Sequence, residues 1–403
     1  MSDSLLSVAD ATALLDRHRR DWGTEMLPLA ACTGRVYAGP PLRADRPLPP
    51  YDRVSMDGIA LRYADLDTQP LRIVGTQAAG VPALSLPPGP HCVEVMTGAV
   101  LPAAADTVIR YEDLDIADGY ARVLPDAIVA TGKNVHPRGT DCAAGTVLIE
   151  PKVRLGAGHL SIAASTGHYN LSVYRLPRTL IVTTGDELVP VDRTPRPHQI
   201  RRSNGVMLQS ALASWGLPAA TIHLPDDEAA LRTALATALT DYDLLLCSGG
   251  VSKGKFDYLP GTLAALGVAQ HFHRMAQRPG KPLWFGTHPG AVVFALPGNP
   301  VSSLVCAHRY VRPYLRTCLG LTQPPAYAVL AEPFTFAPAL TYFLQVAVGT
   351  APDGQRRAVP VAGKGSGDFA NLRRATGVLE LPADQRDFPA GSAYRYHPYA
   401  EPL

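Results

Sequence analysis

A chain of 403 residues, at about 100 to 200 residues per domain, sets an expectation of two to four domains with real cores. Its 37 Lys+Arg stand against 35 Asp+Glu, so a formal net charge of +2 offers no basic face for a polyanion and argues against nucleic-acid binding. Six cysteines (Cys32, Cys92, Cys142, Cys247, Cys306, Cys318) form no C-x-x-C pair and no framework spacing, which argues against a zinc ribbon or a disulfide scaffold and fits a reducing, cytoplasmic setting.

The first twenty residues place Leu5, Leu6, Val8, Ala11, Leu14 and Leu15 on one face of an amphipathic helix and lack the basic and apolar regions of an export signal. Residues 37–50 (YAGPPLRADRPLPP) are too rich in proline for helix or central strand and read as an extended connector. From about 51 to 145, short β-branched runs such as LRIVG, CVEVMTG, DTVIRYE and TVLIE alternate with turn residues, as in a small β unit. Residues 152–176 read as a helix and then a strand.

From 178 onward the texture changes. RTLIVTT, AATIHL, DLLLCS and AVVFAL read as strands. Between them lie SNGVMLQSALASWG, with Ser203 or Asn204 as N-cap and Gly216 as C-cap, and DDEAALRTALATAL; VSSLVCAHRYVRPYLRTCLG closes the segment as one helix. Such alternation implies βαβ units and a doubly wound parallel sheet. Residues 326–403 return to short strands, as in a β-barrel-like module. The expected organisation is therefore 1–45 with 146–177 as one helical and extended unit, 46–145 as a β-rich insertion, 178–325 as an α/β domain and 326–403 as a C-terminal β domain. The longest run without Asp, Glu, Lys or Arg, Pro282 to His308, is broken by Pro-Gly-Asn-Pro at 297–300, so no membrane span is expected.

Three of the buried runs pass straight into glycine-bearing polar loops: IVTTGDEL (181–188), LLLCSGGVSKGKFDY (244–258) and VVFALPGNPVSS (292–303). Carboxyl ends of parallel strands share one edge, so three such loops make one pocket, and backbone N–H groups there, or at the helix start after Asn299-Pro300, suit a phosphate or another oxyanion. Gly249 to Lys255 matches G-x-x-x-x-G-K, but Phe256 stands where a P-loop needs Ser or Thr, so a nucleotide-hydrolase reading is rejected. Asp186, Glu187 and Asp257 lie inside these loops, where a carboxylate facing a bound anion implies metal ligation or proton transfer. Arg278 and Lys281, in the proline-constrained QRPGKP, suit an anion as well as they suit a surface turn. Asp57 and Asp141 look like turn residues on local grounds. His271 and His273 read as packing or surface groups, and Cys247 as a buried structural thiol.

The string SGGVSKGKFDY, with TGDEL before it and PGKP and LPGNPVSS after it, resembles the molybdopterin molybdenumtransferase family, the MoeA-type proteins and gephyrin E-domains. Upstream, DRVSMDGIA is similar to the family's S-x-M-D-G-Y-A. Thr97 to Asp106 is similar to T-G-A-x-L-P-x-G-A-D, and Pro137-Arg138-Gly139-Thr140-Asp141 to R-x-x-G-x-D; six motifs in the family's order cover nearly the whole chain. The resemblance implies a homodimer of four-domain subunits, with the α/β domain of one facing the β-rich domain of the other across the active cleft. It implies insertion of molybdate into adenylylated molybdopterin with release of AMP and a divalent cation, Mg2+. It assigns Ser248, Gly249, Gly250, Ser252, Pro297, Gly298, Asn299, Ser302 and Ser366 to the pterin and molybdate pocket, with Arg278 and Lys281 attracting the dianion. Asp57, Thr97, Asp141, Glu187, Asp227 and Asp257 take catalytic roles, and Asp57, Glu187 and Asp257 metal handling. A molybdopterin adenylyltransferase and acceptor molybdoenzymes follow as partners.

The chain departs from the family pattern at Ile59 (tyrosine in relatives), Arg278 (lysine), Lys253 and Lys255 (a more basic loop), and Ala370 and Asn371 (serines). It also carries Ala339-Leu340-Thr341-Tyr342-Phe343-Leu344-Gln345 in place of G-R-x-x-F-x-R, without either arginine. Two readings follow: an active transferase, or a molybdopterin-binding carrier of the same fold without insertion chemistry.

Overall fold

The computed structural model describes residues 5–251, 257–322, 324–361, 363 and 369–400. Distant segments build its first unit: Thr24–Pro28 pairs antiparallel with Asn170–Tyr174, and Leu42–Arg43 with Val147–Ile149. Tyr37, Leu42, Ile149, Leu155 and Val173 close a small core there, to which the helix Ala157–Ser165 adds Ala163. The N-terminal helix, Val8–Arg17, is capped by Ser7 Oγ, which accepts from the Asp10 N–H at 3.0 Å. Its buried Val8, Ala11 and Leu15 do not join that core; they pack with Trp215, Tyr310 and Tyr314 of the α/β segment.

The insertion forms a six-stranded sheet in the order Thr107–Arg110, Gly58–Leu61, His91–Val95, Leu71–Gln77, Tyr120–Val123, Leu114–Ala117. Every residue of Gly58–Leu61 is buried, so this central strand reads as a continuous apolar run.

The α/β segment holds a second six-stranded sheet, ordered Ala219–Leu224, Thr179–Thr184, Leu244–Ser248, Val292–Leu296, Trp284–Thr287, Ala269–His273. The first four strands are parallel, and Thr179–Thr184, Leu244–Ser248 and Val292–Leu296 are buried throughout. Trp284–Thr287 runs antiparallel to both its neighbours. The sequence reading did not pick out this strand, because WFGT is four residues long and follows directly on a proline-rich turn. The chain steps outward from Thr179–Thr184 to Ala219–Leu224 and then returns to Leu244–Ser248 on the other side. The strand order thus reverses between Thr179–Thr184 and Leu244–Ser248, where open α/β sheets leave a crevice for ligands.

Two helices differ from expectation. Ser203–Ser214 begins on Arg202 as N-cap, with no side-chain cap, rather than on Ser203 or Asn204, because the Asn204 amide is engaged elsewhere; Gly216 follows the helix end with φ +82 as expected. The expected closing helix is interrupted: Pro300–Cys306 is α-helical, Ala307–Val311 is a π turn, and Arg312–Cys318 is α-helical again.

At the C-terminus, Thr341–Thr350, Arg356–Pro360, Tyr327–Leu330, Ala393–Pro398 and Gly377–Leu381 pair in that order. Gly377–Leu381 pairs back onto Thr341–Thr350, closing a five-stranded barrel around Leu344, Val346, Ala358 and Leu379. Gln277–Arg278 pairs in parallel with Thr341 and Tyr342, so the QRPGKP turn is stitched to the barrel. Among the described residues, no helix is long and apolar enough to cross a membrane.

Candidate active site

The three glycine-bearing loops converge. A cavity of about 260 Å³ lies at the carboxyl ends of Thr179–Thr184, Leu244–Ser248 and Val292–Leu296, and its lining includes Thr184, Gly185, Glu187, Ser248, Gly249, Gly250, Asp257, Pro297 and Gly298. A second cavity of about 440 Å³ shares Pro282, Pro297 and Gly298 with it and is lined by Arg278, Lys281, Asn299 and Ser302. Together they form one groove, with the buried hydroxyl residues Ser248 and Ser302 in its lining and the exposed cations Arg278 and Lys281 at one end. Ser252 and Ser366 lie outside the described residues.

Gly249 has a different local task from the one expected. Its N–H donates to the Leu296 carbonyl at 3.2 Å, joining two of the loops rather than facing a ligand. A Cβ at this position would meet Thr184 Oγ1 at 2.9 Å and the Thr184 carbonyl oxygen at 3.0 Å, and the backbone holds φ +101. Only glycine permits both the close approach and that φ.

Sequence reasoning missed Asn204. Its amide nitrogen donates to Ser248 Oγ at 2.9 Å and to the Gly298 carbonyl at 2.7 Å, tying the first turn of Ser203–Ser214 to the second and third loops. Its own Oδ1, together with Thr184 Oγ1 and Arg202 Nε, is buried without a hydrogen-bond partner among the described residues, and all three residues line the smaller cavity. Asn299 Oδ1, in the larger cavity, is in the same condition. Buried polar atoms are nearly always satisfied, so atoms without a partner among the described residues leave hydrogen-bonding capacity on this groove. No pattern in the sequence separates Asn204 from an ordinary N-cap; the pairing becomes visible only when the sheet brings 204, 248 and 298 together.

The acidic candidates divide. Glu187 and Asp257 line the smaller cavity, and the Glu187 carboxylate folds back over Gly185, where a Cβ would meet Oε2 at 2.6 Å. Asp227 does not line it. Its carboxylate caps the helix Glu228–Asp241, accepting from the Ala230 N–H at 2.7 Å, while the neighbouring Asp226 faces the cavity. Asp226 and Asp186 clasp the loops after two adjacent strands: the Asp226 N–H donates to Asp186 Oδ1 at 3.2 Å and the Asp186 N–H to Asp226 Oδ2 at 3.4 Å. Asp57, Thr97 and Asp141 line neither cavity. The Thr97 N–H donates to Asp57 Oδ1 at 2.6 Å, and the Asp141 carboxylate lies 3.1 Å from His136 Nε2, all on the exposed side of the inserted unit.

Cys247 and the two histidines prove structural. Burial pushes the Cys247 thiol up to about 12. His271 stacks on His18 with ring centroids 3.5 Å apart, and His273 Nε2 donates to the Val251 carbonyl at 3.0 Å. Arg278 and Gln345 meet at a small cavity of about 30 Å³ between the turn and the barrel, so the residue standing in place of an arginine lies beside the cation of the groove.

A reversed strand order, a groove of polar atoms unmet among the described residues and two cations at its end define an α/β protein with a groove suited to an anionic ligand. Family models cover the chain in sequence order: the MoeA N-terminal region (domain I and II) over residues 6–167, a probable molybdopterin binding domain over 180–317, and the MoeA C-terminal region (domain IV) over 327–399. The molybdopterin molybdenumtransferase of Synechocystis sp. is 40% identical over 398 residues, covering 98% of this chain and 100% of the relative. That of Synechococcus elongatus is 34% identical over 381 residues, covering 91% and 93%. A solved molybdopterin biosynthesis MoeA protein from Pyrococcus horikosii has a TM-score of 0.81 at 26% identity, covering 99% of this chain and 100% of that one. The chain belongs to the molybdopterin molybdenumtransferase (MoeA) family.

Proposed function

We propose that this chain inserts molybdate into adenylylated molybdopterin and releases AMP. The observation that carries the reading is the continuous groove whose buried Thr184, Asn204 and Asn299 oxygens lack partners among the described residues, beside the Arg278 and Lys281 cations. Cleaving a phosphoanhydride needs negative charge met by fixed donors and cations. Ser248, Gly250 and Gly298 surround the bound phosphates, Ser302 and Asn299 hold the pterin and molybdate end, and Arg278 and Lys281 draw the molybdate dianion in. Oxyanions are held by hydrogen bonds and cations rather than thiolates, so the buried Cys247 has no part in it.

The donor set fits Mg2+. Glu187, Asp226 and Asp257 line one cavity, and among the described residues no three His, Cys, Asp or Glu form a closed cage. Mg2+ commonly takes one or two carboxylates and completes its shell with substrate phosphates and water. Glu187 and Asp257 would hold it, and when bound it supplies charge neutralisation at the phosphoanhydride. Asp57, Thr97 and Asp141 lie outside the groove of their own chain, so the reading assigns them to the groove of a second subunit in a homodimer, where Asp57 would offer the metal a further carboxylate. A cytoplasmic enzyme that receives its substrate from an adenylyltransferase and passes its product to molybdoenzymes completes the reading.

Incubating the purified protein with adenylylated molybdopterin, molybdate and Mg2+ tests it. AMP release with one metallated cofactor per AMP is the expected outcome. Tight pterin binding with no AMP over many hours would replace the transferase reading by a carrier.

A further inference from the structure

The two cations of the groove stand on a turn whose underside is buried. In QRPGKP, Arg278 and Lys281 are exposed, whereas Gln277, Pro279 and Gly280 are buried. The backbone closes this turn: the Met275 N–H donates to the Lys281 carbonyl at 2.7 Å, and the Leu283 N–H to the Gly280 carbonyl at 3.2 Å. Beneath it lies the Gln277 side chain, 0% exposed. Its Nε2 donates across the turn to the Pro279 carbonyl at 3.0 Å, with Cys306 Sγ 3.7 Å from the same nitrogen. A Cβ at Gly280 would meet both Cys306 Sγ and Gln277 Nε2 at 2.6 Å, so the turn backbone rests directly on this pair.

Gln277 Oε1 has a partner outside the turn, accepting from the hydroxyl of Tyr310, itself 1% exposed. Tyr310 belongs to the π turn Ala307–Val311, in the helical segment that begins at the third glycine-bearing loop. Ser302 of that segment lines the groove, and Cys306 and Tyr310, four and eight residues on, both reach Gln277. At 3.6 residues per turn, α-helical positions eight apart lie about 80° out of line. A π turn takes more residues per turn and reduces that drift, which brings Tyr310 back toward the side of Ser302 and Cys306. Such turns are rare and concentrate at functional sites. The same segment thus gives the groove a hydroxyl at its start and, two turns later, braces the turn that carries the groove's cations. Cations already held in place lose less freedom on meeting an anion, which favours binding.

We propose that Tyr310 is a positioning residue for the oxyanion end of the groove: through Gln277 it fixes the turn that presents Arg278 and Lys281 to molybdate. The inference rests on the transferase reading, which assigns molybdate to those cations. Tyr310 lines neither cavity of the groove, so its influence passes through Gln277.

Calorimetric titration of the full-length protein with molybdate, followed by steady-state kinetics on the same preparations, tests the proposal. The comparison is wild type, Lys281→Gln, Tyr310→Phe, Gln277→Met and the double variant Tyr310→Phe/Gln277→Met. Molybdate affinity should fall at least tenfold in Lys281→Gln and about fivefold in Tyr310→Phe, the fold-change of one ordinary hydrogen bond. Gln277→Met should lose at least as much, and the double variant no more than Gln277→Met, because the two residues act in series. In turnover the change should fall on the molybdate KM, with kcat and the pterin KM within twofold of wild type. If Tyr310→Phe is misfolded by circular dichroism, Gln277→Met carries the comparison alone. Affinity lost in Lys281→Gln but kept in Tyr310→Phe and Gln277→Met overturns this inference and leaves the transferase reading standing. Additive losses in the double variant, or equal damage to kcat and the pterin KM, overturn it as well, since they mark general packing. Molybdate affinity unaltered in Lys281→Gln, or no binding by wild type, overturns both the inference and the assignment of molybdate to this turn.

Discussion

The carboxyl edge of the α/β sheet and the acidic edge of the inserted β unit are built in opposite ways. At the first, Ser248 and Ser302 are buried, Gly249 joins two loops, and several polar oxygens have no partner among the described residues. At the second, Asp57, Thr97 and Asp141 are exposed, and the Asp57 and Asp141 carboxylates are engaged by near neighbours in the same unit. One region is a container whose hydrogen-bonding capacity is unmet; the other is a row of surface acids. Acids of this kind gain a chemical role only when another surface covers them, and for that reason the proposed function places them against a second subunit.

The largest effect expected is at the container. Asp257→Ala should lower turnover by about a thousandfold or more, in the range seen when a transition-state contact is removed, with unfolding temperature within a few degrees of wild type. AMP release and differential scanning calorimetry on one preparation check both halves. Asp57→Ala should be comparably inactive if it serves a shared cleft. Equal mixing of the two variants, unfolded and refolded together, should then restore about a quarter of wild-type activity, because half the dimers are hybrids with one intact cleft of two. A mixture as inactive as its components would place both carboxylates in one chain's site and erase the contrast between the two regions.

Gly58→Ala sharpens the comparison from the other side. A Cβ at Gly58 would lie 1.9 Å from the Ile109 carbonyl oxygen, and the residue holds φ +156 in a fully buried strand. The expected cost is about 3 kcal/mol or more, read as a lowered denaturation midpoint, because the backbone of the neighbouring strand must move. A midpoint matching wild type would mean that the inserted sheet tolerates that shift.

The smallest effect is in the pH dependence of stability. Burial raises the Asp243 carboxyl, but hydrogen bonds from Arg178 and Arg175 outweigh it and bring it down to about 2. Glu380 is likewise raised by burial and then brought down to about 2 by His397 and Arg309. A depressed folded-state pKa contributes stability that is fully present above the unfolded value, near 4, and is lost as pH falls toward 2. Unfolding free energy should drop by about 2 kcal/mol per group across that window, and Glu380→Gln should remove its share of the slope. A flat profile between pH 5 and 2 in wild type would contradict these assignments.

Much of this was legible in the sequence, for definite reasons. Buried parallel strands read as unbroken apolar runs, so LIVTT, LLLCS and VVFAL announce themselves, and the loops after them must share an edge. The barrel followed from short strands punctuated by turns. What stayed hidden depended on tertiary pairing. Asn204 looks like a cap until Ser248 and Gly298 stand beside it, and Asp226 and Asp227 are equivalent until helix geometry assigns one to the cap and leaves the other to face the cavity. The π turn leaves no mark in VSSLVCAHRYVRPYL, since its side chains suit an α-helix equally well.

The most direct test of the account is a crystal structure of the protein with adenylylated molybdopterin bound. The account predicts ligand density along the groove, with phosphates beside Ser248, Gly250 and Gly298, new hydrogen bonds to Thr184 Oγ1 and Asn204 Oδ1, and Asp57 of the partner subunit facing the same ligand. Pterin bound elsewhere, with those oxygens still unpartnered, would contradict it.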